Sequence, residues 1–287
     1  MSVAIQRIGE SFVAEVDNID LAQPIDDTAW EKIYRAYLDH QVLVFRGQSL
    51  TPQQYCDFAA RFGPLEPHAV VAFHHPENPA ITVLSNRIHK GKPKGIRDAG
   101  SHWHSDYTYK QVTSNATLLY ALEVPDAGGD TWFGDTAAAY SALPEAVKAR
   151  LEGLEARQQY RWLKDRTHPE SRWVLCSEAE RQATPEVVHP VVRTHPETGR
   201  KGIFVFPGVT GTIKSIVGLD QPETDDLLQM LFEHCQQPQF LYRFKWQDGD
   251  LVVYDNRTLM HCATTNKLPA NHHRTLYRIN TTGSEPY

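Results

Sequence analysis

The chain has 287 residues, a formal net charge of −6, and 41% hydrophobic, 10% aromatic and 22% charged residues. That is the make-up of a folded globular protein, and a net negative charge without a run of five like charges excludes the basic footprint of a nucleic-acid binder. No stretch of 18 apolar residues occurs, and the N-terminus has neither a basic n-region nor an unbroken apolar h-region, so the expectation is a cytoplasmic protein with no membrane partner. Cys56, Cys176, Cys235 and Cys262 form no CxxC pair and read as buried reduced thiols rather than a zinc ribbon or a disulfide framework.

In chain order, residues 1–22 read as short strands, broken at Gly9. Trp30, Ile33, Tyr34, Tyr37 and Leu38 follow a plausible N-cap at Asp26 or Asp27 and fall on one helical stripe. Val42 to Phe45 is a short buried strand, and Thr51-Pro52 caps a second helix that closes near Phe62-Gly63-Pro64. After a strand over Ile81 to Leu84, the glycine- and lysine-rich tract Asn86 to Gly100 reads as a mobile surface loop of the kind that forms lids. Leu118 to Val124 and Thr131 to Phe133 are strand-like, Ala137 to Leu154 is helical with a break at Pro144, and Lys164 to Pro185 receives no element. The remainder alternates strand patterns (Val187 to Thr194, Gly202 to Phe206, Phe240 to Trp246, Asp250 to Tyr254, Arg274 to Asn280) with one helix from about Glu223 to His234. Many short strands with few helices predict a mainly β chain, a jelly-roll-like barrel with helical insertions, in a single domain over 1–287 with its core at about 8–282.

The chemistry centres on His104-Ser105-Asp106. On an extended strand residues i and i+2 share a face, so this imidazole and carboxylate point into one cavity. A third ligand must come from elsewhere, and the candidate is His261, 157 residues further on. Two neutral imidazoles and a carboxylate suit Fe(II) with coordination sites left open, whereas zinc more often takes a closed tetrahedral set. In Arg274-Thr275-Leu276-Tyr277-Arg278, period-two alternation puts both arginines on one face. A guanidinium turned inward needs an anion, and its planar fork grips a carboxylate on two atoms.

Trp103-His104-Ser105-Asp106, Gly128-Gly129-Asp130-Thr131, His189-Pro190-Val191-Val192-Arg193-Thr194-His195-Pro196, Asp255-Asn256-Arg257 with His261, and Arg274 with Arg278 stand in order along most of the chain. Together they resemble the Fe(II)- and 2-oxoglutarate-dependent taurine dioxygenase (TauD/TfdA) family, which includes aryloxyacetate herbicide dioxygenases. The resemblance implies a double-stranded β-helix with His104, Asp106 and His261 as both the iron ligands and the catalytic centre. It further implies Arg274 and Thr131 on 2-oxoglutarate, O2 as the second co-substrate, and His68, Tyr160, Phe204 and Arg278 around the substrate.

The implied reaction is hydroxylation of a small anionic substrate, a sulfonate or carboxylate, with release of succinate and CO2 by a cytoplasmic homo-oligomer. Val71 and the Gly100-Ser101-His102 region depart from the taurine enzyme's pattern, as does the basic loop around Lys90 to Arg97. These departures put taurine itself in doubt as the substrate. The residues alone also admit a zinc-dependent hydrolase or a non-catalytic organic-anion-binding barrel. The hydrolase leaves the paired arginines and Thr131 unexplained.

Overall fold

The computed structural model describes residues 2–68, 71–160, 185–206, 213–269 and 271–287; of the stretch Lys164 to Pro185, all but Pro185 lies outside the described residues. The strands of the first half are β1 (Ala4–Arg7), β2 (Val13–Asp17), β3 (Val42–Phe45), β4 (Leu65–Glu66), β5 (Thr82–Ser85), β6 (Ile88–His89), β7 (Lys92–Pro93), β8 (Ser114–Glu123) and β9 (Thr131–Asp135). There follow β10 (Glu155–Gln158), β11 (Val187–Pro190), β12 (Val192–Thr194), β13 (Lys201–Ile203), β14 (Ile213–Ile216), β15 (Leu241–Phe244), β16 (Leu251–Asp255), β17 (Leu259–Ala263) and β18 (Thr275–Thr282).

A large sheet runs β1-β2-β3-β16-β8-β18-β4, with β5 also paired to β18, and a small sheet runs β15-β9-β17. All of these pairings are antiparallel except β2 with β3. Alternation along the central strands sorts side chains between two cores. Leu251 and Val253 of β16, Leu118 and Tyr120 of β8, and Ile279 of β18 pack beneath the helices Asp27–His40 and Pro52–Ala59. Val252, Tyr254, Leu119, Ala121 and Leu276 lie on the opposite face, where they meet Phe133 and Leu259 of the small sheet. A third core gathers around the helix Gln221–Cys235.

Local chemistry fixes the element ends. The Asp26 carboxylate accepts from the Ala29 amide at 2.7 Å, and Thr51 with Gln54 forms a capping box ahead of Pro52. Asp220 and Glu223 do the same for the helix Gln221–Cys235.

One reading gains detail and one needs correction. Within the surface tract Asn86 to Gly100, β6 and β7 pair, and Ile96 returns to the sheet edge through Ile96 N–H to Val83 O and Ser85 N–H to Ile96 O, both 3.0 Å. Gly95 allows that return, because a Cβ there would stand 2.4 Å from the Val83 carbonyl oxygen. The expected strand Val187 to Thr194 is two strands in different sheets, since Val191 turns away to bond Leu154 and Phe204. Among the thiols, Cys56 and Cys235 are buried and Cys262 half-buried, all three free, while Cys176 lies outside the described residues. Among the described residues no helix is long and apolar enough to cross a membrane.

Candidate active site

His104 and His261 face each other across an isolated antiparallel bridge, His104 N–H to His261 O at 3.0 Å and His261 N–H to His104 O at 2.8 Å. The sheet thus brings the imidazoles to a ring separation of 4.1 Å. Asp106 is not on a strand with His104, as its spacing suggested; it opens a turn, with Tyr107 at φ +56°. The side chains converge all the same, and one donor atom from each of His104, Asp106 and His261 fits within 4.8 Å.

The chain prepares these donors. A carbonyl oxygen can only accept, so the 2.8 Å contact between His104 Nδ1 and His102 O places the proton on Nδ1 and leaves the Nε2 lone pair free. Asp106 is held by one oxygen: Oδ2 accepts from Thr117 Oγ1 at 2.6 Å, Asn280 Nδ2 at 3.1 Å and the Tyr254 hydroxyl at 3.3 Å. Asn256 closes the clamp, donating to Thr117 Oγ1 at 2.8 Å and accepting from the Asp106 amide at 3.2 Å. Oδ1 is left facing His104 Nε2 at 3.6 Å and His261 Nε2 at 4.0 Å. Burial alone would raise the Asp106 carboxyl, but the side chains of His104 and His261 and the charge of Arg278 outweigh it and hold the group well below the usual carboxylate range. Burial, then His104, lowers the His261 imidazole, so the site presents a carboxylate and a neutral imidazole at neutral pH. That donor set fits a divalent ion of the Fe(II) class.

Arg274 lies just before β18, 5% exposed, and its Nε has no hydrogen-bond partner among the described residues. Burial lowers its guanidinium to about 9, with Asp130 the chief opposing charge. Asp130 is already engaged by Arg243 Nε at 2.6 Å, so Arg274 is a buried cation kept for something else. The Gly128-Gly129 pair makes room for it: Gly129 sits at φ +71°, and a Cβ there would meet Arg274 Cδ at 3.0 Å. Trp246 forms a shelf 5.7 Å from the guanidinium carbon and donates to Thr131 Oγ1 at 3.0 Å. With a lone pair taken by that indole, the Thr131 hydroxyl still has its proton to donate towards an anion.

Arg278 continues the same face of β18, with Nη1 4.0 Å from Asp106 Oδ1. Tyr160 stacks on Tyr109 at a ring distance of 4.5 Å, and both act electrostatically with Tyr107 beside Arg278. His68 is fixed through its carbonyl, which accepts from His74 Nε2 at 2.6 Å. Phe204 is 2% exposed, with Phe206, His189 and Arg193 against its ring, so it belongs to the core around the helix Gln221–Cys235 rather than to an open wall. Thr117, Asn280, Tyr254 and Trp246 escaped sequence reasoning. The parity of β18 that paired the arginines also put Asn280 on their face, and that signal was available.

A mainly β chain that gathers two imidazoles and a carboxylate around one point, with two inward arginines beside them, is a metalloenzyme of the facial-triad type. The sequence model described as "Taurine catabolism dioxygenase TauD, TfdA family" matches residues 4–280, and the chain belongs to that family. It is 38% identical to the alpha-ketoglutarate-dependent 2,4-dichlorophenoxyacetate dioxygenase of Cupriavidus pinatubonensis, over 91% of this chain and 92% of that one. The structure of a taurine dioxygenase from Burkholderia xenovorans superposes with a TM-score of 0.80 at 31% identity, covering 100% of this chain and 91% of the other. That of AAD-2 in complex with Mn(II) and N-oxalylglycine superposes with a TM-score of 0.80 at 29% identity, covering 100% and 99%.

Proposed function

We propose that this chain is an Fe(II)- and 2-oxoglutarate-dependent dioxygenase that hydroxylates a small organic anion, a carboxylate or sulfonate, and releases succinate and CO2. The observation that carries the reading is Arg274, a buried guanidinium whose Nε has no partner among the described residues. Alternation into β18 puts it on the face of Arg278, whose Nη1 lies 4.0 Å from Asp106 Oδ1. A hydrolytic metal site or a simple anion carrier has no use for both a metal set and a second buried cation.

When bound, iron with 2-oxoglutarate and O2 supplies the oxidant that converts a substrate C–H to C–OH. His104, Asp106 and His261 hold the metal. The Thr117–Asn280–Asn256 clamp keeps Asp106 Oδ2 occupied, so Oδ1 alone is presented to the ion. Arg274 receives the distal carboxylate of 2-oxoglutarate on its guanidinium, and Thr131 adds its hydroxyl proton to the same group. Trp246 and Leu268 press against this pocket and keep water from competing. Arg278, His68 and Tyr160 contact the substrate; Phe204 supports the core. The fold is read as a double-stranded β-helix in one domain with its core at about 8–282, in a cytoplasmic homo-oligomer.

Anaerobic addition of Fe(II) and 2-oxoglutarate tests the reading through the visible charge-transfer band of the chelate. A band in the wild type, with Arg274→Met needing about 100-fold more 2-oxoglutarate, is the expected result, since truncating one partner of a buried charge pair costs about 2–5 kcal/mol. Tight zinc and no band overturn it.

A further inference from the structure

One side chain beside the triad is built at a cost that packing does not explain. Tyr107 follows Asp106 directly, is 6% exposed, and its hydroxyl has no hydrogen-bond partner among the described residues. A phenylalanine would fill the same volume without leaving a buried donor unmet. The backbone is uncommon as well: φ is +56°, in the left-handed region that bulky residues avoid. Two unfavourable features at one residue, next to a metal-facing carboxylate, mark a group held for a ligand.

The ring is immobilised. Lys110 Nζ lies 4.2 Å above it while paired with Glu66, and Tyr109 meets it edge-on at 6.0 Å. The direction of the hydroxyl is therefore set by the scaffold. Among the charged and titratable groups acting on Arg278, Tyr107 stands ahead of Asp106, Tyr254 and Tyr109. Arg278 Nε is itself a buried donor without a partner among the described residues. Asp106, the residue before Tyr107, lies beside Arg278, so a phenol and a guanidinium without partners among the described residues flank one carboxylate, and no described carboxylate bonds to either. Asp106 Oδ1 is 4.0 Å from Arg278 Nη1, beyond hydrogen-bond length.

We propose that Tyr107 is a substrate-binding residue whose hydroxyl donates to the oxyanion head of the substrate together with Arg278, so that the two fix its orientation at the metal. The inference rests on the dioxygenase reading and extends it. One oxygen of a carboxylate or sulfonate accepts from the phenol and another from the guanidinium. The head is then held on two independent elements, the turn after Asp106 and β18. A substrate whose head offers one acceptor satisfies one donor and leaves the other buried and unmet, which is how such a site discriminates.

The test is calorimetric titration of the protein loaded with Mn(II) and N-oxalylglycine, in wild type and Tyr107→Phe, using 2,4-dichlorophenoxyacetate as the carboxylate probe and taurine as the sulfonate probe. The wild type binds at least one of them, which identifies the head group. Tyr107→Phe binds that probe about 10–100-fold more weakly, the loss of a hydrogen bond to a charged group. Its affinity for N-oxalylglycine stays within two-fold, and the melting temperature without ligands is no lower than that of the wild type. Equal probe affinity in the variant, or failure of the loaded wild type to bind either anion, overturns the proposal while leaving the dioxygenase reading intact. A lowered melting temperature with N-oxalylglycine binding weakened in parallel also overturns it, because that pattern belongs to a packing role. Failure of the wild type to bind N-oxalylglycine removes the dioxygenase reading and this inference with it.

Discussion

Two clusters of buried charge lie on either side of Asp255-Asn256-Arg257, built from the same residue types and completed to different degrees. On one side Arg257 grips Asp255 through Nε at 2.8 Å and Nη2 at 2.7 Å, His195 Nε2 reaches the same carboxylate at 3.0 Å, and Arg257 Nη1 extends to Glu197. These four side chains answer one another, and only Arg193 beside them keeps Nε and Nη2 without a partner among the described residues. On the other side Asp106, His104, His261, Arg274 and Arg278 leave His261 Nδ1, Arg274 Nε and Arg278 Nε without a partner among the described residues. Asn256 divides them, with its side chain committed to Asp106 and Thr117. A closed set of buried charges is scaffold and an open one is a receptor, so completeness of pairing separates them better than charge or burial alone.

The sharpest way to break that comparison is Arg257→Ala. It strands Asp255 in the interior, and denaturant unfolding of the metal-free protein should show a loss of about 3–5 kcal/mol. A loss below about 1 kcal/mol would mean that the closed cluster is not scaffold. Arg274→Met should behave in the opposite way on the same assay, leaving stability unchanged or raised, because it removes a buried cation that the chain does not neutralise.

An intermediate effect is expected from Asn280→Ala, which opens the clamp on Asp106 Oδ2 without touching a metal donor. Iron or manganese affinity, read by competition with a chelator, should fall about 10–100-fold, and an unchanged affinity would show that the clamp has no influence on the ion.

The remaining effect concerns pH. Burial lowers His102 to about 3 and lowers His261 also, so both are neutral in the folded, metal-free protein. The unfolded chain takes up a proton at each near the ordinary histidine value of about 6.5. Stability without metal therefore declines as pH falls from about 6.5 towards 3, with a slope approaching two protons, about 2.7 kcal/mol per pH unit. The depressed Asp106 and Asp255 carboxyls act in the same sense lower down: their contribution is present above about pH 4 and is lost as acid protonates them. His102→Gln should remove one proton from the slope, measured by urea unfolding across that range.

The triad donors and the two arginines were legible in the sequence because their chemistry demands particular residue types, and because the period of two along β18 put Arg274 and Arg278 on one face. The helices were legible from their caps, Asp26 and Thr51 above all. Less visible were the neutral residues that aim the charged ones. Thr117 and Asn280 look like ordinary strand residues until a partner far away in the chain is known, and their contacts to Asp106 span 11 and 174 residues. Asp106 itself was read onto a strand, since i and i+2 spacing cannot distinguish an extended segment from a turn that aims two side chains the same way. The hairpin within Asn86 to Gly100 was hidden by its composition: lysine, glycine and proline signal a loop, whereas Ile96 and the bare Gly95 backbone tie that loop to β5.

The reciprocal backbone bridge between His104 and His261 also governs when the centre comes into being. During synthesis the ribosome adds the intervening 157 residues at roughly 5–20 per second, so His104 and Asp106 wait roughly 8–31 s for their third donor. Through that interval the nascent chain offers two ligands and no enclosed pocket, too little to retain a weakly held divalent metal. A site with all three donors therefore exists only once β17 has docked against His104.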